Sequence, residues 1–507
     1  MKILLSSIGV QSGTDLQLAL YYLKSYLVKG KNALKPLPDV QIRIFHEEDT
    51  VGYISNKILK TKPQLIGFSC YIWNIEHILQ VCRRIKKADP AIFIVLGGPE
   101  VSPRANEILQ KEKTIDAVVR GEGEATFAEL VSSLGQDLSN LGQDLSKVCG
   151  LSYRQGKVVV NNPGRAQIAD LAAIPSPYLA RVVDLKDKNI VDLPLETTRG
   201  CSFRCSYCYY HKNFPRVRYF SLSRVEKELK LILSSRPKEV YLMDATFNAC
   251  LKRAKEVLRL FIKYNKNSSL HVELKAELVD EELARLLQKA NCLNIEIGIQ
   301  STNLKTLRAV NRGFNREKFK KGIRLLNKYN IFYEIQLIDA LPFQSYADLL
   351  RSLDWLYSLH PARVTIFPLA MLPGTTLRER AAGYGIIYDP RPPYHAQKSC
   401  AMSGSEVLKV KSLRFAMERL YDSHVFQETF FDLQSKGKIR FSDIFEDWVR
   451  WESRFKRRCQ DYPVFLNRKS PEFLEYTCRK RGKFNIFKRL LPVLKKTLAD
   501  YQAAYYS

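Results

Sequence analysis

The chain has 507 residues, 46% of them hydrophobic and 26% charged, with a formal net charge of +28. That composition belongs to a folded protein of several domains and excludes a disordered or collagen-like one. No run of about eighteen apolar residues occurs, which excludes a spanning helix, and eleven irregularly spaced cysteines do not form a secreted disulfide framework.

The first ten residues turn polar too quickly for a secretory leader and are expected to form a buried strand. Through residue 133, strand-like and helix-like segments alternate. Strands are expected at 2–8, 40–45, 64–69, 92–96 and 115–119, and helices at 14–28, 51–61, 74–87, 102–111 and 124–134. This is the pattern of a parallel sheet covered on both faces, a Rossmann-like α/β domain over 1–140. Gly97-Gly98-Pro99-Glu100 and Gly121-Glu122-Gly123-Glu124 follow two of the strands. Ligands of open parallel sheets bind at such loops, where glycine lets the backbone come close. A six-residue duplication, LGQDLS at 134–139 and again at 141–146, reads as a surface insertion. Residues 141–190 are expected to be a linker containing a small hairpin over 151–160, with Pro175 and Pro177 marking extended chain.

From 191 to 387 the alternation resumes in longer units. Strands are expected at 193–197, 239–243, 270–274, 294–299, 333–338 and 363–367, and helices at 222–234, 279–290, 303–310, 315–329 and 346–359. Six such units make a partial (β/α)6 barrel, whose chemistry belongs at the carboxyl ends of its strands. Residues 388–507 are expected to be a mostly helical extension rich in aromatic and basic residues. Cations gather at 454–458, 479–481, 488–489 and 495–496. The positive charge is read as a solvated surface or as attraction to a polyanion such as RNA or an acidic protein. No recognised nucleic-acid module accompanies it. Phe426, Phe430, Phe431, Trp448, Trp451 and Phe455 are expected to pack a core rather than to close over a substrate.

The strongest local signal is Cys201-Ser202-Phe203-Arg204-Cys205-Ser206-Tyr207-Cys208, which spaces its thiols as C-x3-C-x2-C directly after a strand ending Glu196-Thr197-Thr198-Arg199-Gly200. Three thiolates satisfy three irons of a 4Fe–4S cubane and leave the fourth iron open. A chance cluster of buried cysteines and a zinc knuckle short of a ligand are the competing readings. His211 suits zinc poorly at this spacing and reads as a surface histidine.

At these residues the sequence resembles the radical S-adenosylmethionine (SAM) superfamily, in particular its members with a cobalamin-binding domain and a C-terminal extension. The resemblance implies Cys201, Cys205 and Cys208 as cluster ligands, with SAM on the open iron. It also implies SAM contacts from Tyr207, from Asp244 and Thr246 in Met243-Asp244-Ala245-Thr246, and from Glu273, with Glu277 in reserve. Gln300 in Ile297–Ser301, Arg312, and Gln336 before Ile338–Pro342 complete the implied set, and Leu372-Pro373-Gly374-Thr375 matches the turn after the sixth strand. The sequence departs from the family at 243–246, where the usual glycines are gone, at Gln336, where Asp is common, and at Ala340, where Gly is common. A buried Glu or Gln at a strand end is also a common structural hydrogen-bonder.

Cobalamin is implied at the first domain, against Ser69, Tyr71, Trp73, Gly97, Gly98, Glu100, Gly121 and Glu122. The loop after the first strand, 9–14, has no histidine, so ligation of cobalt by a histidine there is excluded. Tyr71 and Trp73 either cover the lower corrin face or pack a seam, and Cys70 reads as a small buried hydrophobe. Cys400 and His395 are remote candidates at the barrel mouth. Cys250, Cys292, Cys459 and Cys478 read as core or surface thiols.

The implied activity is that of a cobalamin-dependent methyltransferase acting on an unactivated carbon by way of a 5′-deoxyadenosyl radical, in a reducing cytoplasm, with a flavodoxin- or ferredoxin-type electron donor. The alternatives are a radical SAM cyclase, rearrangement or oxidation enzyme, an RNA-modifying enzyme such as a methylthiotransferase, and a non-catalytic carrier. Methylthiotransferases carry second-cluster cysteines in the N-terminal domain, where this chain has only Cys70 and Cys82, with Cys149 beyond.

Overall fold

The computed structural model describes residues 1–10, 16–30, 36–135, 145–187, 190–422, 427–453 and 462–506. The chain divides into two compact units. One comprises Met1–Ile295, Ala370–Ala381 and Tyr388–His395, the other Glu296–Leu369, Ala382–Ile387 and Ala396–Ser507. Residues 136–144 of the duplicated segment, the first loop at 11–15, and Phe426, Phe455, Cys459 and the cations at 454–458 lie outside the described residues.

The first unit opens with β1 (Lys2–Gly9), α1 (Leu18–Lys29), β2 (Asp39–His46), α2 (Val51–Leu59), β3 (Leu65–Ser69), α3 (Ile75–Ala88), β4 (Phe93–Gly97), α4 (Ala105–Lys111), β5 (Ala117–Val119), α5 (Gly123–Leu134), β6 (Leu151–Gln155) and β7 (Val158–Asn161). The strands form one sheet in the order β2-β1-β3-β4-β5-β6-β7. β1 to β5 are parallel. β6 and β7 are the expected hairpin, and it adds antiparallel to β5 as the edge of the sheet. One face carries Leu4, Ile8, Phe68, Ile94 and Leu96 against α2, α3 and α4. The other carries Ile3, Leu5 and Val95 against α1 and α5. α3 shows why such a segment is a helix: Ile75, Ile78, Val81, Cys82 and Ile85 fall on one stripe, and all are buried. Two helices depart from expectation. α1 begins at Leu18, with no side-chain cap from Gln17. The helix expected from 102 opens as a 3-10 turn over Ser102–Arg104 and becomes α-helical only at Ala105, because Pro103 has no N–H to give.

The same unit continues with β8 (Asp192–Leu195), β9 (Thr198–Arg199), α6 (Tyr210–Asn213), β10 (Arg218–Tyr219), α7 (Leu222–Ser234), β11 (Glu239–Leu242), α8 (Leu251–Tyr264), β12 (Ser269–Leu274) and α9 (Glu281–Lys289). β8, β11 and β12 are parallel neighbours. Their alternation buries Leu193, Leu195, Val240, Leu242, Leu270, Val272 and Leu274 on one face. Ser221 and Asp280 cap α7 and α9 by accepting from backbone N–H groups, which fixes where these helices begin.

β13 (Cys292–Gln300) leads into the second unit, where α10 (Leu304–Ala309), α11 (Arg316–Lys328), β14 (Glu334–Ile338), α12 (Tyr346–Tyr357) and β15 (Arg363–Phe367) follow. β13, β14 and β15 are parallel. After α13 (Thr376–Glu379), which belongs to the first unit, come α14 (Gly404–Met417), α15 (Gln427–Ser435), α16 (Phe441–Glu452), α17 (Tyr462–Lys480) and α18 (Phe484–Tyr506). Pro471 and Pro492 lie inside α17 and α18, where sequence rules would have ended them. Phe430, Trp448 and Trp451 are buried, as expected of core aromatics. Part of the C-terminal positive charge is committed: Lys480 and Arg481 both reach the buried Asp447, at 2.5 and 2.9 Å. Among the described residues no helix is long and apolar enough to cross a membrane.

Candidate active site

Two parallel strand systems in the first unit end beside each other. At the carboxyl ends of β3 and β4, Gly98 has φ +107°, and a Cβ there would stand 2.6 Å from the Cys70 carbonyl oxygen. Only glycine lets these two loops lie so close. Asn74 holds the neighbouring turn, its amide donating to the carbonyls of Ile8 and Ser69 while its oxygen accepts from the Tyr71 N–H.

The cysteine loop leaves β9 through Gly200 (φ +98°), where a Cβ would collide with the Arg216 carbonyl. Cys205 is buried, and Cys201 and Cys208 are half-buried. Burial pushes the Cys208 thiol up, and the neighbouring Cys205 and Cys201 push it further, whereas the N–H groups of Tyr210 and His211 favour its thiolate. The three sulfurs therefore sit within electrostatic reach of one another, with backbone donors turned towards one of them. Among the described residues no three His, Cys, Asp or Glu side chains converge on a single-ion position. A cubane asks instead for three thiolates held apart, each for its own iron. The donor set fits such a cluster. His211 is half-buried rather than a surface side chain, with Nδ1 unpartnered, and burial with Lys212 and Arg204 holds its pKa down.

Between these two loops lies a cavity of about 510 Å³. Of the residues expected at cobalamin, Ser69, Tyr71, Gly97, Gly98, Gly121 and Glu122 line it. Its opposite wall is Glu196, Arg199, Cys208, Tyr209, Tyr210, Asn213 and Phe214, with Met243 and Leu372. Leu18, Leu23 and Phe127 make its apolar flank. Two expected residues are absent from the wall. Trp73 is 50% exposed and stacks on Tyr71 at 4.4 Å, so it backs the tyrosine rather than packing a seam. Glu100 turns into the protein, where its carboxylate accepts from Tyr394 Oη at 2.5 Å and pairs with Arg104 at 3.2 Å. Cys70 is fully buried, as a small hydrophobe would be.

Glu122 belongs to a buried ion network that sequence reading missed. It meets Arg218 at 2.7 Å and Arg199 at 3.3 Å, and Arg199 also reaches Glu124 at 2.7 Å and Glu196 at 2.9 Å. Arg199 and Arg218 stand opposite each other in the β9–β10 pair. Burial would raise the Glu122 carboxyl, but the Arg218 hydrogen bonds and the Arg199 charge outweigh it and hold the carboxyl low. Arg199 is held fully protonated by Glu124 and Glu196 in spite of burial. The only trace in the sequence was position, with Glu122 and Glu124 after one strand and Glu196 and Arg199 around another.

The expected SAM residues divide between the units. In the first, Thr246 Oγ1 lies 3.9 Å from Cys201 Sγ, and both line a small cleft with Asp244. Asp244 is buried and accepts from the N–H groups of Thr197 and Thr198 and from the Thr197 hydroxyl. It therefore braces the strand end that launches the cysteine loop. Tyr207 is half-buried in the loop, and Glu273 accepts from Tyr241 Oη at 3.1 Å. In the second unit, β13 bulges between Gly298 and Gln300, and Gln300 takes φ +71°. Arg312 donates to the Gly298 carbonyl, so Gln300 and Arg312 meet over that glycine. Gln336 instead donates to Glu296 at 2.6 Å and Glu334 at 3.4 Å. Cys400 is exposed in its loop.

Residues 195–356 match the family model of the radical SAM superfamily, and residues 19–131 match that of the B12 binding domain. The chain is 26% identical to 2-(S-pantetheinyl)-carbapenam-3-carboxylate methyltransferase of Streptantibioticus cattleyicolor, over 71% of this chain and 55% of that protein. It is 25% identical to the cobalamin-dependent radical SAM methyltransferase TokK of Streptomyces tokunonensis, over 79% and 61%. It is also 26% identical to the anaerobic magnesium-protoporphyrin IX monomethyl ester cyclase of Rubrivivax gelatinosus, over 63% and 58%. The chain thus spans a little over half the length of each of these relatives. Among solved structures, the cobalamin-dependent SAM radical enzyme OxsB, with aqua-cobalamin and SAM bound, aligns over 99% of this chain and 83% of its own at TM-score 0.66 and 16% identity. The methyltransferase TsrM from Kitasatospora setae, with cobalamin and a [4Fe-4S] cluster bound, aligns over 77% and 76% at TM-score 0.61 and 18% identity. At these identities the structural likeness is one of fold.

Proposed function

We propose that this chain, a radical SAM enzyme with an N-terminal B12-binding domain, is a cobalamin-dependent methyltransferase acting on an unactivated carbon. The observation that carries the reading is the single cavity walled on one side by the strand-end glycines of the first sheet and on the other by Cys208 and the residues that follow it. A corrin in that cavity would lie against the loop that holds the cluster, which is where a methyl carrier and a radical generator must cooperate. With a 4Fe–4S cluster, SAM and cobalamin bound, the site would supply reductive cleavage of SAM to a 5′-deoxyadenosyl radical, hydrogen abstraction from carbon, and a transferable methyl group.

The chain's own residues do the rest. Cys201, Cys205 and Cys208 hold the cluster, and Asp244 fixes the strand end from which their loop departs. Thr246 in the first unit is our candidate for contact with SAM, and in the second unit the candidates are Gln300 and Arg312, which meet over Gly298. Gly98 and Gly121 let the corrin approach the backbone, while Leu18, Leu23, Phe127 and Leu372 keep water from the cavity. We take 1–140 as the cobalamin domain, 191–387 as the radical SAM barrel and 388–507 as the extension.

Anaerobic reconstitution with iron, sulfide and hydroxocobalamin tests this. The expected result is one corrin and one cluster per chain, and 5′-deoxyadenosine on reduction with dithionite in the presence of SAM. Chain that takes up no corrin would sink the methyltransferase reading. Serine at 201, 205 and 208 together should abolish cluster and SAM cleavage while leaving corrin uptake measurable. A cyclisation is the second reading, favoured by the magnesium-protoporphyrin cyclase relative. A product heavier than its substrate by one methylene separates the two.

A further inference from the structure

We infer that Arg378 and Tyr394 are positioning residues: they clamp a strap that ties the corrin-side loop to the cysteine loop, so that filling one site tightens the other. The inference rests on the proposed binding of cobalamin and a cluster in the first unit, and it deepens that reading by naming what holds the two sites in register.

The strap consists of two late stretches of chain that belong to the first unit, Ala370–Ala381 and Tyr388–His395. They run antiparallel, with Ala370 bridged to His395 and the Met371 N–H donating to the Tyr394 carbonyl at 3.0 Å. The turn that follows Met371 touches both loops. Leu372 lines the large cavity. At Gly374, with φ +75°, an added Cβ would stand 2.6 Å from Pro103 Cβ and 2.7 Å from the Tyr209 ring. One backbone position thus meets both the loop that follows Gly98 and the residue directly after Cys208, and glycine is what fits there. Three residues on, the Leu377 N–H donates at 2.9 Å to the carbonyl of Ser206, which lies between Cys205 and Cys208 in the cysteine loop.

Two side chains hold this turn. Arg378 folds back to donate to the Met371 carbonyl at 2.8 Å, which closes the stretch 371–378 on itself. Its guanidinium lies over the rings of Tyr394 and Tyr388, 4.6 and 5.1 Å from their centres. Tyr394 is fully buried and extends the hold to the corrin-side loop, where its hydroxyl donates to Glu100 at 2.5 Å and accepts from Arg104. Burial pushes the Glu100 carboxyl up, and the Tyr394 hydroxyl with the charges of Arg104 and Arg378 pushes it back. Glu100, Arg104, Arg378 and Tyr394 are all absent from the cavity wall. They therefore act on a bound corrin only through the loops they hold. Close-packed interiors transmit a shift rather than absorb it. A corrin that orders its own loop thus orders, through the strap, the loop that carries the thiols, and by linkage the effect runs both ways.

The test uses the full chain and hydroxocobalamin, titrated by visible absorption into anaerobic protein with its cluster and again after a chelator has removed the iron. Wild type should bind the corrin at least about fivefold more tightly with the cluster than without it. In R378M that ratio should fall to about one, with the cluster-free affinity within about twofold of wild type, because no contact to the corrin is lost. R378K, which keeps a cation over the rings and a donor for Met371, should retain most of the ratio. A second readout needs no cluster. Corrin binding should slow hydrogen exchange of the Leu377 amide in cluster-free wild type and leave it unchanged in R378M. Should R378M not fold, Gly374→Ala takes its place, since a methyl forced against Pro103 and Tyr209 displaces the same turn and should erase the same ratio. A wild-type ratio near one, or Leu377 exchange in wild type that ignores the corrin, would overturn the inference. So would a wild-type ratio that survives the substitution, which would assign the coupling to direct contact between corrin and cysteine loop. Failure of the methyltransferase reading shows separately, as wild type that takes up no cobalamin in either state.

Discussion

Replacing Arg218 by Gln should loosen the joint between the first sheet and the cysteine loop. Arg218 and Glu122 are buried, with side chains 9% and 5% exposed, and meet through two hydrogen bonds of 2.7 and 3.0 Å. Breaking a buried pair by removing one partner costs about 3–5 kcal/mol, because the other charge is left uncompensated. Here Glu122 keeps Arg199 at 3.3 Å and the Ile168 N–H at 2.9 Å, so the loss should lie at the lower end, about 3 kcal/mol. The Ile168 amide, which donates to Glu122, is a built-in reporter. Its hydrogen exchange should accelerate by roughly two orders of magnitude, while that of Val81 in α3 stays near wild type. Methionine at both 122 and 218 should leave the stability read by urea unfolding nearer wild type than R218Q does, since apolar replacement of a whole buried pair is often neutral, although the Ile168 amide then has no carboxylate to donate to. Ile168 exchange within about threefold of wild type in R218Q would refute the reasoning, because that is under 1 kcal/mol.

Other outcomes follow from neighbouring features. Asp244→Asn should lower iron retention without altering the affinity for SAM measured on the fraction that keeps its cluster, since Asp244 supports the loop; weakened SAM affinity at full iron content would return it to the ligands. Gly98→Val should reduce cobalamin uptake and destabilise the first unit by about 1–3 kcal/mol, because it forces a side chain against Cys70 at positive φ; uptake equal to wild type in a spectral titration would contradict this. Glu122 has a folded-state pKa below its unfolded value, so its contribution is complete above about pH 4.3 and fades as pH falls through the depressed value. The stability gap between wild type and E122Q, followed by urea unfolding, should therefore be constant near neutrality and close only in acid. A gap that widens on acidification would be inconsistent with that ion pair.

What could be read in advance was local. The C-x3-C-x2-C spacing, the glycines after β4 and β5, and the alternation of apolar positions in the strands each involve residues close in sequence, where periodicity and turn chemistry speak directly. The roles of the acidic residues were not local. Glu100 finds Tyr394 and Glu122 finds Arg218, partners 294 and 96 positions away, and nothing in their own neighbourhoods distinguishes a carboxylate turned inward to a cation from one turned outward to a ligand. The hydrogen bonds of Asp244 run back to Thr197 and Thr198, 47 and 46 positions earlier, which its own turn does not reveal. Helix ends moved wherever a cap was weak, as at Gln17, or where proline changed the first turn, as at Pro103.

The hairpin at the edge of the first sheet imposes a rule of parity. β6 runs down beside β5 and β7 runs back up, so Asn161 emerges level with Ser152 and Val118, near the end of the sheet where the glycine loops lie. From there a few residues suffice for the Ile168 N–H to reach Glu122. With one extra strand instead of two, the polypeptide would surface at the opposite end and would have to cross the whole sheet to return. The turn between β6 and β7 can lengthen or shorten freely, but strands here can be gained or lost only in pairs.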